Sequence, residues 1–272
     1  MAVIAEEEDV IDCLIRAKAD ITIVDKNGYN CLHKAIETDC EPNILQMLLA
    51  NGIDANSTTK NRDELTSLHI AASVGSEDSV VQLLLENGAD LSITNSIEVG
   101  NDNSGLNALH IAAINDNLDI CTLLREFDAD VNATTASPAK KSALLLACEK
   151  GNLKIVSHML TDVNGSSASI TQTDADGISP VHLTAALGQY EILKLLIKHK
   201  ADPCSIDPLG DSVLHYAARS KSIETVTTLL SFVDATTKQQ FVNLAGDNKK
   251  TALHFAAKSG DPKLISVFLE NG

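Results

Sequence analysis

At 272 residues the chain could hold one large domain or two ordinary ones; with 44% hydrophobic residues, 3% aromatics and no Trp, its core is built from Ala, Leu, Ile and Val in thin layers of helix. The formal charge of −16 argues against nucleic-acid binding, which needs a basic footprint to displace counterions. No apolar run approaches the roughly 18 residues of a membrane span, no signal-peptide pattern is present, and six Cys without a C-x-x-C pair suit reduced thiols in the cytoplasm or nucleus.

The acidity is lopsided. Residues 1–136 hold 24 Asp and Glu against 7 Lys and Arg, and residues 137–272 hold 13 against 14. Such a surface either keeps the protein in solution or steers a basic partner to the first half.

In chain order, the acidic run Glu6-Glu7-Glu8-Asp9 precedes a helix expected over Val10 to Asp20, where it favours the positive end of the helix dipole. A phrase then recurs seven times: a small polar residue, a small residue, an aliphatic, usually His, and shortly a small pair. It reads Asn30-Cys31-Leu32-His33, Thr66-Ser67-Leu68-His69-Ile70-Ala71-Ala72 and Asn107-Ala108-Leu109-His110-Ile111-Ala112-Ala113. Ser142-Ala143-Leu144-Leu145 follows, with Leu145 where His is expected; then come Ser179-Pro180-Val181-His182, Ser212-Val213-Leu214-His215 and Thr251-Ala252-Leu253-His254. About a dozen residues after each, an apolar helix ends in a small acidic turn, as in Leu83-Leu84-Leu85-Glu86-Asn87-Gly88-Ala89-Asp90 and Leu195-Leu196-Ile197-Lys198-His199-Lys200-Ala201-Asp202. The last such helix runs from Leu264 to Gly272.

This two-part phrase resembles the ankyrin-repeat family over essentially the whole chain. The resemblance implies an all-α solenoid of helix-turn-helix units with short hairpin-like turns. It is expected to form one domain over 1–272, with copies at roughly 1–28 (partial), 29–64, 65–105, 106–140, 141–177, 178–210, 211–249 and 250–272 (partial). The local chemistry agrees. Ser, Thr or Asn can N-cap the first helix, Pro180 suits the first helical position, and paired Ala residues allow close helix approach. Gly52 and Gly88 suit left-handed C-caps, and Asp25-Lys26-Asn27-Gly28 and Asp207-Pro208-Leu209-Gly210 make tight turns.

From one His position to the next, counting Leu145, the steps are 36, 41, 35, 37, 33 and 39 residues, against about 33 for the family. The excess falls at 94–106, 133–141, 161–173 and 232–248, read as elaborated connectors. Both ends fall within a repeat, so the sequence is expected to be a segment of a longer protein.

No catalytic chemistry emerges. No phosphate-binding, dinucleotide, zinc-protease or nucleophile-elbow motif is present, so no enzyme activity, cofactor or metal is expected. In the family, the repeated His bonds backbone groups and stiffens the stack, and adjacent copies lie too far apart to share a metal. Cys31 and Cys148 occupy small-residue slots, and nothing nearby favours a Cys31–Cys40 redox pair. Asn56 and Asn132 each follow a Leu by eight residues. The resemblance makes both candidates for hydroxylation, against a plain turn-stabilising role.

The resemblance also implies that a partner protein or disordered peptide is held by hairpin tips and first-helix ends. At those positions Tyr29, Leu65, Val74, Leu106 and Ile114 would line an apolar groove over copies one to three, continued by Ile178 and Leu187 in copy five. Arg219, Lys221, Lys249, Lys250 and Lys258 would form a basic patch for acidic residues of the partner. The alternative is that insertions, the 94–106 loop above all, fold over these side chains. The expected function is a scaffold or adaptor, cytoplasmic or nuclear, with no direct membrane insertion. An inhibitory module masking a basic segment of a transcription factor and the cytosolic regulatory domain of a membrane channel are the alternatives.

Overall fold

The computed structural model describes residues 3, 7–96 and 104–272. Glu6 and the middle of the 94–106 insertion lie outside the described residues. Contacts gather in two compact units, one of Met1–Pro138 with Val163–Gly165 and one of Ala139–Asp162 with Ser166–Gly272.

In the first unit a single helix, α1 (Glu8–Arg16), precedes three helix pairs: α2 (Cys31–Glu37) with α3 (Pro42–Ala50), α4 (Ser67–Val74) with α5 (Asp78–Glu86), and α6 (Ala108–Ile114) with α7 (Leu118–Glu126). The helix α1 is shorter than the expected span, because the chain leaves helical geometry after Arg16. First helices stack on first helices (α2, α4, α6) and second on second (α3, α5, α7). The stacking explains the composition. First helices lie between neighbours and are buried almost throughout, so Ala71, Ala72, Ala112 and Ala113 are inaccessible and bring backbones close. Second helices bury one stripe, such as Ile44, Leu45, Leu48 and Leu49 on α3.

In this unit each first helix opens on a capping box in which His replaces the usual Glu. Asn30, Thr66 and Asn107 accept the N–H of His33, His69 and His110, and the ring Nδ1 accepts the cap's own N–H at 3.3, 3.0 and 3.2 Å. Since a backbone N–H can only donate, Nδ1 is the acceptor and Nε2 carries the proton. That proton is donated to the turn ending the same repeat, at Ser57, Ile93 and Ala133 carbonyls 2.8, 3.0 and 3.0 Å away. Burial pushes His69 and His110 down to about 4, which keeps the rings neutral.

Hairpins stack by backbone bonds. Asp25 Oδ1 accepts the N–H groups of Asn27 and Tyr29, closing the turn, and Gly28 turns at φ +82°. A Cβ at Gly28 would lie 2.6 Å from the Lys60 backbone, whose N–H donates to the Gly28 carbonyl at 2.8 Å.

The second unit repeats this order with α8 (Ala143–Lys150) and α9 (Leu153–Leu160), α10 (Pro180–Ala186) and α11 (Tyr190–Lys198), α12 (Val213–Ser220) and α13 (Ile223–Ser231). The 232–248 insertion contains a further helix, α14 (Ala235–Val242), before the last pair, α15 (Ala252–Ser259) and α16 (Pro262–Asn271). Asp234 caps α14 by accepting the N–H groups of Thr236 and Thr237, and Phe241 and Val242 are buried as α14 packs on α16. In α8, Ser142 Oγ accepts the Leu145 N–H at 3.4 Å, but Leu145 returns no bond.

Candidate functional site

In the first unit, the residues expected to line a groove differ in accessibility. Val74, at the end of α4, is 51% exposed. Tyr29, Leu65 and Ile114 are half-buried. The Tyr29 ring stands edge-on to His33 at 6.0 Å and has Lys34 Nζ 5.6 Å from its centre, and burial pushes its phenol up. Leu65 is tied to Thr59 through both backbone groups, at 2.8 and 2.9 Å.

Leu106 corrects the expectation: it is only 4% exposed. The ends of the insertion pair like a hairpin, with Asn95 N–H donating to the Leu106 carbonyl at 2.9 Å and Leu106 N–H to Asn95 Oδ1 at 2.7 Å. Gly105 then turns at φ +66° and its carbonyl accepts the Ala136 N–H at 2.8 Å. Ser104 and Gly105 are buried with Leu106, so this stretch is packed where Val74 is open.

In the second unit Ile178 is half-buried, its N–H donated to Asp174 Oδ1 at 2.8 Å, and Leu187 is exposed as the C-cap of α10. The basic residues divide. Arg219, Lys221 and Lys258 line one depression of about 310 Å³ with Ala218, Phe255 and Ser259. Lys250 Nζ is 5.9 Å from the Phe255 ring centre; Lys249 lies on the helical turn Asp247–Lys249 and is not part of this lining.

Arg219 is held from three sides. Its Nη2 pairs with Oδ2 of the buried Asp211, and its guanidinium carbon lies 4.2 Å from the Phe255 ring centre and 5.2 Å from that of Tyr216. Behind it, Tyr216 donates its hydroxyl to Asp207 Oδ2 at 2.6 Å, and Asp207 Oδ1 accepts the N–H groups of Leu209 and Asp211. Burial and this donated bond push the Tyr216 phenol well up. For Asp207, burial pushes the other way, but the bonds from Tyr216, Asp211 and Leu209 outweigh it and hold the carboxyl below its usual range.

Several contributors have no signal in the repeat phrase. Phe255 sits in a slot that reads as helix interior, and Asp211 reads as a surface hairpin residue. Ile206 and Leu209 are 59% and 71% exposed at the hairpin tip. Their segment reads only as a turn, although a Pro-Leu tip is unusually apolar. Asn56 spans two repeats, donating to the Gly88 carbonyl at 2.8 Å and accepting the Asp90 N–H at 2.7 Å. Asn132 donates its N–H to Asp130 Oδ1 at 2.9 Å. Among the described residues no group of three His, Cys, Asp or Glu side chains is placed to hold a metal, and no helix is long and apolar enough to cross a membrane.

Comparison with known proteins agrees with this architecture. Human Inversin is 28% identical over a stretch covering 61% of this chain and 18% of Inversin. The chicken nuclear factor NF-kappa-B p105 subunit is 29% identical over 78% of this chain and 17% of its own length. The chain thus spans less than a fifth of either relative. Among solved structures, the ankyrin repeat domain of Bcl-3, described as a unique member of the IkappaB protein family, superposes with a TM-score of 0.70 at 22% identity, covering 84% of this chain and 95% of that one. The sequence matches the profile of ankyrin repeats (3 copies) over residues 1–95, 41–135, 93–174 and 144–239, and the chain belongs to the ankyrin-repeat family.

Proposed function

We propose that this chain is a scaffold or adaptor that seats a partner protein or peptide on its hairpin tips and first-helix ends, in the cytoplasm or nucleus. Ankyrin repeats are a protein–protein interaction module, and the side chains divide accordingly. The aliphatic, His and Ala positions that build the stack recur from copy to copy and are mostly buried in the first six copies, while the residues at the helix ends differ in every copy. The observation that carries the reading is Val74, half exposed at the end of α4 in a unit where three of the four other expected contact residues, Tyr29, Leu65 and Ile114, are partly accessible and only Leu106 is buried. Partners recovered with the full chain and then purified should bind it directly, and Val74→Asp with Ile114→Asp should abolish binding while leaving the helical spectrum intact. Undiminished binding by that double variant would reject the surface.

A second reading, an inhibitory module that grips a basic segment, is favoured by the 24 acidic against 7 basic residues of 1–136. It predicts capture of lysine- and arginine-rich peptides by the first unit, weakening steeply with salt.

A further inference from the structure

We propose that Arg219, Lys221 and Lys258 form a receptor for the carboxylates of an acidic peptide, with Phe255 as the apolar floor on which a neighbouring side chain of that peptide rests. The proposal deepens the peptide-binding reading above and names the chemistry of one site within it. Three observations carry it.

Arg219 is preorganised. A free arginine loses much rotamer entropy when it grips a ligand, but this one is already fixed by Asp211, by Phe255 at 4.2 Å and by Tyr216 at 5.2 Å. One N–H of the guanidinium is committed to Asp211. The fork retains further donors for the planar, two-oxygen geometry of a carboxylate.

The charge around it is uncompensated. Asp211 offsets Arg219, but Lys221 and Lys258 have no ion-pair partner among the described residues, although the chain is strongly acidic as a whole. Lys221 is held at the end of α12 in left-handed geometry, φ +62°, which fixes where its side chain leaves the backbone.

The surface is concave and mixed. The depression of about 310 Å³ joins these three cations to Phe255, Ala218 and Ser259. A basic rim over an aromatic floor suits an acidic segment carrying an apolar or aromatic residue. It does not suit a basic or purely apolar one.

The test uses the full chain and a short fluorescein-labelled peptide of alternating glutamate and phenylalanine, read by fluorescence anisotropy. The peptide should bind, and binding should weaken as salt rises. Lys221→Glu with Lys258→Glu should weaken it about tenfold or more. Both lysines are exposed, so folding should survive, which circular dichroism checks. Arg219→Lys, which keeps charge but loses the fork, should weaken it several-fold. Lys194→Glu with Lys198→Glu, on α11, should change nothing. A lysine–phenylalanine peptide that binds equally well, a charge-reversed double variant that binds like wild type, or no binding of the acidic peptide would each overturn the proposal. The Val74→Asp, Ile114→Asp variant separates the two readings. If it alone loses partners while the acidic peptide ignores Lys221 and Lys258, the module binds protein but this site does not exist.

Discussion

The ring of His215 reaches the carbonyl oxygen of Lys250 at 3.0 Å across 35 residues of chain, whereas the ring of His69 reaches that of Ile93 across 24. The acceptor has moved across the hairpin: Ile93 precedes the turn opened by Asn95, whereas Lys250 lies on the returning arm, directly before the N-cap Thr251. The added residues are taken up by α14, which leaves the turn after Val233 and returns it at Gly246, whose N–H donates to the Lys250 carbonyl at 2.8 Å. The insertion thus keeps the hairpin closed while shifting the carbonyl that the histidine holds.

A prediction follows for α14. Its stability rests on Phe241 and Val242 packed in the contact with α16, because its remaining surface is polar. Phe241→Ala should cost about 3 kcal/mol locally. Repeat arrays respond to such a loss by loosening the nearest units first. Hydrogen exchange should accelerate in 262–271 and stay unchanged in α10 and α11. Uniform loss of protection through the second unit would contradict this.

The histidines make stability depend on pH. His69 and His110 titrate at about 4 when folded and near 6.5 when unfolded. The unfolded chain therefore binds more protons between those values, so stability is complete above about pH 6.5 and falls as pH drops towards 4. Each ring should contribute on the order of 2–3 kcal/mol to that fall. Carboxylates held low, such as Asp207, act only below about pH 4, in a separate window. Urea unfolding of the wild type at pH 7.5 and 4.5 should show the loss. The His69→Asn, His110→Asn variant should be less stable at pH 7.5 and lose less over the same range, with the remaining slope coming from His33 and His182, which burial also holds low. A slope unchanged by the double substitution would exclude these rings as its cause.

Glycines held at positive φ should divide by neighbour. Gly28 and Gly88 turn at φ +82° and +84°, but a Cβ at Gly28 would strike the Lys60 backbone while one at Gly88 meets nothing within 4 Å. Gly88→Ala should cost about 1 kcal/mol, from left-handed strain alone. Gly28→Ala should cost about 2 kcal/mol more, since the stacked hairpins must separate and the bond from Lys60 to Gly28 weakens. Thermal unfolding of the two variants compares them directly, and equal losses would show that the hairpin yields freely.

The stack was legible in the sequence because its determinants are local. A capping residue, a His three positions on and a small pair specify the first helix wherever they recur. Leu145 breaks the box and keeps the helix, since Ser142 still caps and the Leu side chain is buried in the His slot. What could not be read depends on contacts distant in sequence. Ala235–Val242 has two apolar residues beyond its first Ala and becomes a helix through Asp234 and the packing on α16. Leu106 occupies the same repeat position as the half-buried Leu65, yet pairing with Asn95 across the insertion accompanies its burial. Arg219 reads as one of five surface cations, and only the fold brings Asp211, Tyr216 and Phe255 around it.

That surrounding makes the Asp211–Arg219 pair asymmetric, which can be measured. The Asp211 side chain is 3% exposed and that of Arg219 37%. Removing the arginine leaves a buried carboxylate with the Asp247 N–H as support on Oδ1, whereas an unpaired guanidinium can turn to water. Arg219→Met should therefore cost about 2 kcal/mol, discounted from fully buried pairs because one partner is solvated. Asp211→Asn should cost about 1 kcal/mol, since the amide oxygen can still accept the Asp247 N–H. Pairing the two substitutions should recover part of the sum, because the double variant buries no unpaired charge. Additive losses in urea unfolding would mean that the contact contributes packing over Phe255 and no charge compensation.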